Sequence, residues 1–149
     1  MEIDKKLLAP CGLYCGVCGI LIAHRENNLK FKERLSTVYN VPPEELCCEG
    51  CQSELVFKYC RICPIKACTK DRGYEGCHQC DEFPCAHINN FPLAVGKRVI
   101  QRAIPQWREL GAEKWVAAEE LRYHCPACGA SLFRGAKRCR NCKEPVDQD

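Results

Sequence analysis

The sequence lacks the features of a membrane or exported protein. Its longest apolar run, residues 19–23, is far shorter than the roughly 20 residues that cross a bilayer. The amino-terminal residues 1–10 include acidic side chains and no apolar stretch long enough for a signal peptide. These absences predict a soluble protein of the cytoplasm.

The common signatures of catalysis are also missing. The sequence contains no glycine-rich phosphate loop and no nucleophile elbow. The spacing Cys11-x3-Cys15-x2-Cys18 also occurs in radical enzymes that hold an iron–sulfur cluster. Those enzymes are built on barrels of parallel strands of about 200 residues or more, and this chain of 149 residues shows no alternation of strands and helices. We therefore expect a protein that is not an enzyme.

What the chain has in abundance is cysteine. Sixteen cysteines make up about 11% of the chain, a share typical of a stapled scaffold. Nine of the 39 residues from Cys47 to Cys85 are cysteine, and few large apolar residues accompany them. Thiols stay reduced in the cytoplasm, and a two-residue gap between cysteines lets both sulfurs face one ion. Bound metal is therefore favoured over disulfide bonds.

The predicted ligands include two copies of the spacing C-x2-C-x4-C, each interpreted as a knuckle followed by a short helix. The twelve cysteines before residue 90 divide into three sets of four, unless one is spare. Cys47 is the candidate spare thiol, because Cys48 already pairs with Cys51, and His87 is the first candidate to replace a cysteine. The predicted metal ligands are Cys11, Cys15, Cys18, Cys48, Cys51, Cys60, Cys63, Cys68, Cys77, Cys80, Cys85, Cys125, Cys128, Cys139 and Cys142.

The identity of the metal stays open for the amino-terminal sites. Zinc and a [4Fe–4S] cluster both use four thiolates, and spacing alone does not separate them. The knuckle-like pairs favour zinc, with about four sites in the whole chain. Four such sites would turn the formal charge of +3 into about −5, because four thiolates outweigh one divalent cation.

Periodicity predicts three longer helices. Phe31, Leu35 and Val38 lie on one face of a helix from about Asn27 to Tyr39, with an asparagine at each end. Two more helices, separated by Gly111, occupy most of residues 93–122 and bury both tryptophans. Pro105 is expected to kink the first of these or make it restart.

The carboxyl-terminal segment is the most specific motif. Two C-x2-C pairs flank a short hairpin at residues 131–133, with Gly129 at a position that needs a positive φ. Four cysteines close a tetrahedron and leave no position for chemistry, so this pattern predicts a structural zinc ribbon. Residues 122–143 hold six basic residues and no acidic one, and four of them, Arg134, Lys137, Arg138 and Arg140, predict a second function, the binding of nucleic acid.

The order of the motifs carries a family resemblance. It includes Cys11-Gly-Leu-Tyr-Cys15-x-x-Cys18, Cys48-x-Gly50-Cys51 and Cys77-x-x-Cys80-x-x-Phe83-Pro84-Cys85. Over residues 8–122 it resembles a cysteine-rich family of anaerobic bacteria and archaea that is known as a domain of unknown function. The resemblance implies zinc binding in the cytoplasm, with no established activity.

Together these observations predict a small metal-stabilised α+β protein of short helices and cysteine knuckles. Its expected parts are a multi-metal domain over 1–92, a helical spacer over 93–122 and a zinc ribbon over 123–145. The expected function is that of a zinc-binding module with a protein partner. The alternatives are an iron–sulfur electron-transfer protein and a nucleic-acid-binding protein.

Overall fold

The computed structural model describes residues 2–149, so the first residue of the predicted 1–92 domain lies outside the described residues. Within these residues the chain forms seven α-helices joined by loops and single 3-10 turns. The helices are α1 (Gly19–Arg25), α2 (Leu29–Tyr39), α3 (Lys58–Arg61), α4 (Pro64–Arg72), α5 (Ala86–Asn89), α6 (Ala94–Leu110) and α7 (Ala112–Arg122).

Extended structure is limited to two isolated bridges among residues 2–149, both in the carboxyl-terminal segment. They pair His124 with Ser131 and Arg138 with Pro145. Each bridge closes one C-x2-C knuckle, so within the described residues the predicted hairpin at 131–133 does not form a ladder between the knuckles. The protein is small, helical and rich in cysteine, and the β part of the predicted α+β class is not confirmed.

Helix α2 begins and ends where its asparagines predict. The Asn28 side chain accepts a hydrogen bond from the Phe31 backbone N–H at 3.1 Å and caps the first turn. Asn40 adopts the left-handed conformation, with φ of 55°, and ends the helix. Phe31 and Leu35 are buried as predicted, whereas Val38 is 67% exposed.

Helices α6 and α7, the predicted spacer, carry the centre of the core. Val99, Ile100, Ala103, Ile104 and Trp107 line one face of α6 and are almost completely buried, as is Trp115 of α7. The predicted burial of both tryptophans is confirmed. Helix α6 runs through Pro105 without a restart. Pro105 lies on the exposed face, where water can bond the carbonyl that lacks a partner.

One hydrophobic cluster joins the three predicted segments of the chain. It contains Leu7, Tyr14 and Val17 from the amino-terminal part, the buried face of α6, and Leu132, Ala136 and Val146 from the carboxyl-terminal part. A second cluster packs α1 and α2 against Val41, Leu46 and Phe57. The cysteine-rich loops therefore lie against a packed core.

Two glycines permit close approaches of these loops. Gly12 has φ of 89°, and a Cβ there would lie 3.0 Å from the Ile104 side chain on α6. Gly50 has φ of 121°, and a Cβ there would lie 2.4 Å from the Lys6 carbonyl oxygen. Both positions therefore need the conformational freedom and the small size of glycine.

None of the helices within residues 2–149 combines the length and the apolar character that a bilayer crossing requires.

Candidate metal centres

The carboxyl-terminal cysteines form the most compact group of ligand atoms. The sulfurs of Cys125, Cys128, Cys139 and Cys142 all lie within 4.8 Å of one another. The Cys125–Cys142 and Cys128–Cys139 sulfur pairs are each 3.6 Å apart. Tetrahedral zinc with bonds of about 2.3 Å sets its sulfurs about 3.8 Å apart, so the four thiols fit one ion. We call this group the ribbon tetrad.

Backbone hydrogen bonds shape both knuckles of the ribbon tetrad in the same way. The Gly129 N–H donates to the Cys125 carbonyl at 2.8 Å, and the Lys143 N–H donates to the Cys139 carbonyl at 3.0 Å. Both donors have positive φ, 78° for Gly129 and 67° for Lys143. The conformation of Gly129 is confirmed, and Lys143 occupies the equivalent position in the second knuckle without being glycine.

Asn141 is a polar neighbour of the tetrad that the cysteine spacing did not reveal. Its side-chain amide lies 3.5 Å from the Cys128 sulfur, and its backbone N–H donates to the Cys139 sulfur at 3.4 Å. The bond from the Asn141 amide lowers the pKa of Cys128 to about 6, and backbone N–H groups lower that of Cys139. These donors favour the thiolate form that a metal ion binds.

The other cysteines do not form a second group of this compactness within the described part of the chain. All sixteen cysteines are free thiols, so no disulfide joins them. Seven of them surround one another at the amino-terminal side of the core. We call this group the core thiols: Cys11, Cys15, Cys18, Cys48, Cys51, Cys60 and Cys63.

Burial dominates the chemistry of the core thiols. It raises the pKa of Cys15 and of Cys51 to about 12 and also shifts the pKa of Cys11 upward. The Cys51 N–H donates to the Cys15 sulfur at 3.3 Å, which joins two of the loops directly. Buried thiols of this kind are neutral without metal, so an ion that binds them must displace their protons.

The two copies of C-x2-C-x4-C do not form two equivalent knuckles. Cys60 lies within helix α3, and Cys60 and Cys63 belong to the core thiols. Cys68, on α4, lines a small cavity together with the second copy, Cys77, Cys80 and Cys85. We call these four the cavity thiols. Helix α4 ends at Gly73 as predicted, with φ of 72°.

Cys47, the predicted spare thiol, and His87, the candidate to replace a cysteine, have different surroundings. The Cys47 sulfur lies 3.4 Å from the Glu44 carbonyl and is apart from the cavity thiols. It is also not among the thiols that shift the pKa of Cys11, Cys15, Cys51 or Cys60, and its interpretation as a spare thiol stays a prediction. His87 lines the same cavity as the cavity thiols, at the exposed surface of α5.

The basic residues of the ribbon do not form one exposed face. Arg134 donates to the Tyr14 carbonyl at 2.8 Å and acts on the pKa of Cys11 and Cys15 against the effect of burial. Arg140 forms a two-pronged ion pair with Glu26, with distances of 3.0 and 3.3 Å. Of the four residues predicted to bind nucleic acid, Lys137 and Arg138 are exposed.

These contacts dock the ribbon on the amino-terminal part. The Arg134 N–H donates to the Val17 carbonyl at 2.7 Å, and the rings of Phe31 and Phe133 lie 4.8 Å apart. Arg140 also lies over the Phe31 ring, 4.6 Å from its centre. These contacts join residues more than 100 positions apart, so local sequence patterns could not predict them.

The comparison with known families fits this arrangement of cysteines. The model of the family described as "Protein of unknown function (DUF3795)" matches residues 7–90. The chain belongs to this family. The DUF3795 segment contains all the core thiols and cavity thiols and ends before α6, so the resemblance expected over residues 8–122 is shown over 7–90. No curated protein and no solved structure matches the chain.

Proposed function

We propose that this protein is a non-enzymatic zinc-binding protein whose ions hold its loops together. The observation that carries the proposal is the spacing of the ribbon tetrad, four sulfurs within 4.8 Å of one another. A mononuclear ion brings its four sulfurs this close. A [4Fe–4S] cluster binds each cysteine through a different iron and holds the sulfurs farther apart. The donor set therefore suits a single zinc ion.

The closed donor set supports a structural role. Four thiolates satisfy tetrahedral zinc, whereas catalytic zinc keeps one position for water or substrate. The Asn141 contacts to Cys128 and Cys139 supply the surrounding hydrogen bonds that orient ligands at such sites. If the ions only stabilise the fold, the function of the chain depends on what its surface binds. We propose that the surface binds another protein.

The partner proposal rests on apolar side chains that the core does not use. Leu55, Tyr59 and Ile62 lie within eight residues of one another, and each is at least 44% exposed. Groups of exposed apolar side chains often mark sites of protein interaction. If this surface binds a partner, Ile62→Asp should prevent complex formation without changing the metal content. A complex that survives this change would place the interface elsewhere.

Metal analysis of the anaerobically purified full chain tests the proposed function. We expect a colourless protein that contains zinc by elemental analysis and native mass spectrometry. Cys128→Ser should lose one ion, because three sulfurs leave the tetrahedron open. The matched control, Cys47→Ser, should lose none, because Cys47 lies apart from the ribbon tetrad.

Two results would contradict the proposal. A brown protein with iron and sulfide would assign the sites to iron–sulfur clusters and support an electron-transfer function. A protein purified under these conditions without tightly bound metal would show that metal binding is not its function.

A further inference from the structure

A second set of four thiols lies outside the ribbon. The cavity thiols come from three different elements, so the fold and not a local turn brings them together. Cys68 lies on α4, Cys77 begins a 3-10 turn, and Cys85 precedes the first residue of α5. The apolar side chains of Ile65, Phe83 and Ile88 also line the cavity.

The thiols are mutual neighbours as well as neighbours of the cavity. The groups that raise the pKa of Cys77, after burial, are the thiols of Cys85, Cys80 and Cys68, in that order, followed by Cys63 of the core thiols. The remaining donor at the cavity is His87, at the exposed surface of α5. The cavity is therefore lined by four thiols and one imidazole.

The knuckle between Cys77 and Cys80 is fixed from several sides. The Cys77 N–H donates to the Pro10 carbonyl at 2.9 Å, and the Cys80 N–H donates to the Cys77 carbonyl at 3.1 Å. Arg108 of α6 donates to the carbonyls of His78 and Cys80 at 2.8 and 3.0 Å. Contacts with Pro10 and with Arg108 of α6 therefore position this turn from outside the cavity.

Cationic side chains compensate for the charge that four thiolates would carry. The Arg72 guanidinium nitrogen lies 3.9 Å from the Cys80 sulfur and also pairs with Glu82. Arg108 lies against the same turn. A site of four thiolates and one divalent cation has a net charge of −2, so neighbouring cations stabilise its loaded state.

We propose that Cys68, Cys77, Cys80 and Cys85 form a four-thiolate site for one divalent metal ion, distinct from the ribbon tetrad. The inference rests on the proposed metal-binding function and assigns it a second centre. The four sulfurs stand around the cavity less closely than those of the tetrad, and the ion draws them together. In sequence Cys68 belongs to the first C-x2-C-x4-C copy, but in the proposed site it joins the three cysteines of the second copy.

Cadmium provides the test, because it replaces zinc at thiolate sites and each bound ion gives its own 113Cd resonance. The full chain is loaded with 113Cd2+, and its resonances are counted beside the ion count from native mass spectrometry. We expect Cys80→Ser to lose one ion and one four-sulfur resonance while the ribbon resonance stays. Cys80 is only half-buried, so this change disturbs the core less than a change at the buried Cys77 would.

Three further variants make the result specific. Cys80→His should keep the ion but shift one resonance toward coordination by three sulfurs and one nitrogen, because histidine also ligates such metals. If Cys80→Ser fails to fold, the Cys80→His spectrum tests whether Cys80 binds the ion. The matched controls Cys47→Ser and His87→Ala should leave the ion count and every resonance unchanged.

The outcomes separate this inference from the proposed function. If both Cys80 variants keep the wild-type ion count and spectrum, the cavity site does not exist, although the ribbon resonance still supports metal binding. If His87→Ala loses the ion, the four-thiol assignment is wrong. If the wild-type protein shows no ribbon resonance either, the proposed function fails with it.

Discussion

Removing the bound ions with a chelator at neutral pH is expected to unfold most of the protein. A structural zinc site contributes on the order of 10 kcal/mol to folding, and the whole stability of a domain is about 5–15 kcal/mol. Helix α6 packs against loops that carry thiols, as the contact between Gly12 and Ile104 illustrates. We therefore expect a large loss of the helical circular dichroism signal as the ions leave.

Two controls make the chelation result specific to metal. Chelator added together with excess Zn2+ should leave the spectrum unchanged. A thiol-free reductant without chelator should also have no effect, because all sixteen cysteines are free thiols. An unchanged spectrum in a sample shown to be free of metal would mean that hydrophobic packing suffices for the fold.

The second large effect is expected for Trp107→Ala. Trp107 is 1% exposed and lies between His78 and Trp115, with ring centres 3.9 and 4.5 Å away. Truncating a fully buried tryptophan costs about 3–5 kcal/mol. Denaturant unfolding of the metal-loaded variant should show this loss of unfolding free energy. The space left by the missing indole ring removes the packing that α7 and the Cys77–Cys80 turn share.

Leu121→Ala is the matched control for Trp107→Ala. Leu121 belongs to the neighbouring helix α7 but is 77% exposed, so its truncation should change stability by less than about 0.5 kcal/mol. Equal effects of the two changes would contradict the position of Trp107 at the centre of the core.

The sequence specified the local elements well. Helices α6 and α7 are separated at Gly111 as predicted, and α2 has the predicted asparagine caps, because capping and periodicity depend only on neighbouring residues. The ribbon tetrad was also predictable, since its two knuckles are close in sequence. Exposure was harder to predict, because Val38 and Leu121 are apolar but lie on faces that no other element covers.

The grouping of the remaining cysteines could not be predicted in the same way. A two-residue gap predicts a turn, but it does not determine which turns meet in space. Cys60 and Cys63 lie with the core thiols, and Cys68 lies with the second copy of the pattern, because α4 carries it to the cavity.

The surroundings of the ribbon's basic residues could not be predicted for a related reason. Arg134 and Arg140 are part of a local run of positive charge, yet their partners, Tyr14 and Glu26, lie far away in the sequence. Their guanidinium groups dock the ribbon against the amino-terminal part. A net local charge therefore does not reveal whether the charges face solvent or another part of the chain.

X-ray absorption at the zinc edge of the full chain, purified without added metal, tests most directly whether thiolates bound to metal ions hold the molecule together. We predict zinc surrounded by four sulfurs at about 2.3 Å, with no oxygen in the first shell. Zinc bound mainly by oxygen or nitrogen, or no zinc signal from a folded protein, would contradict this account.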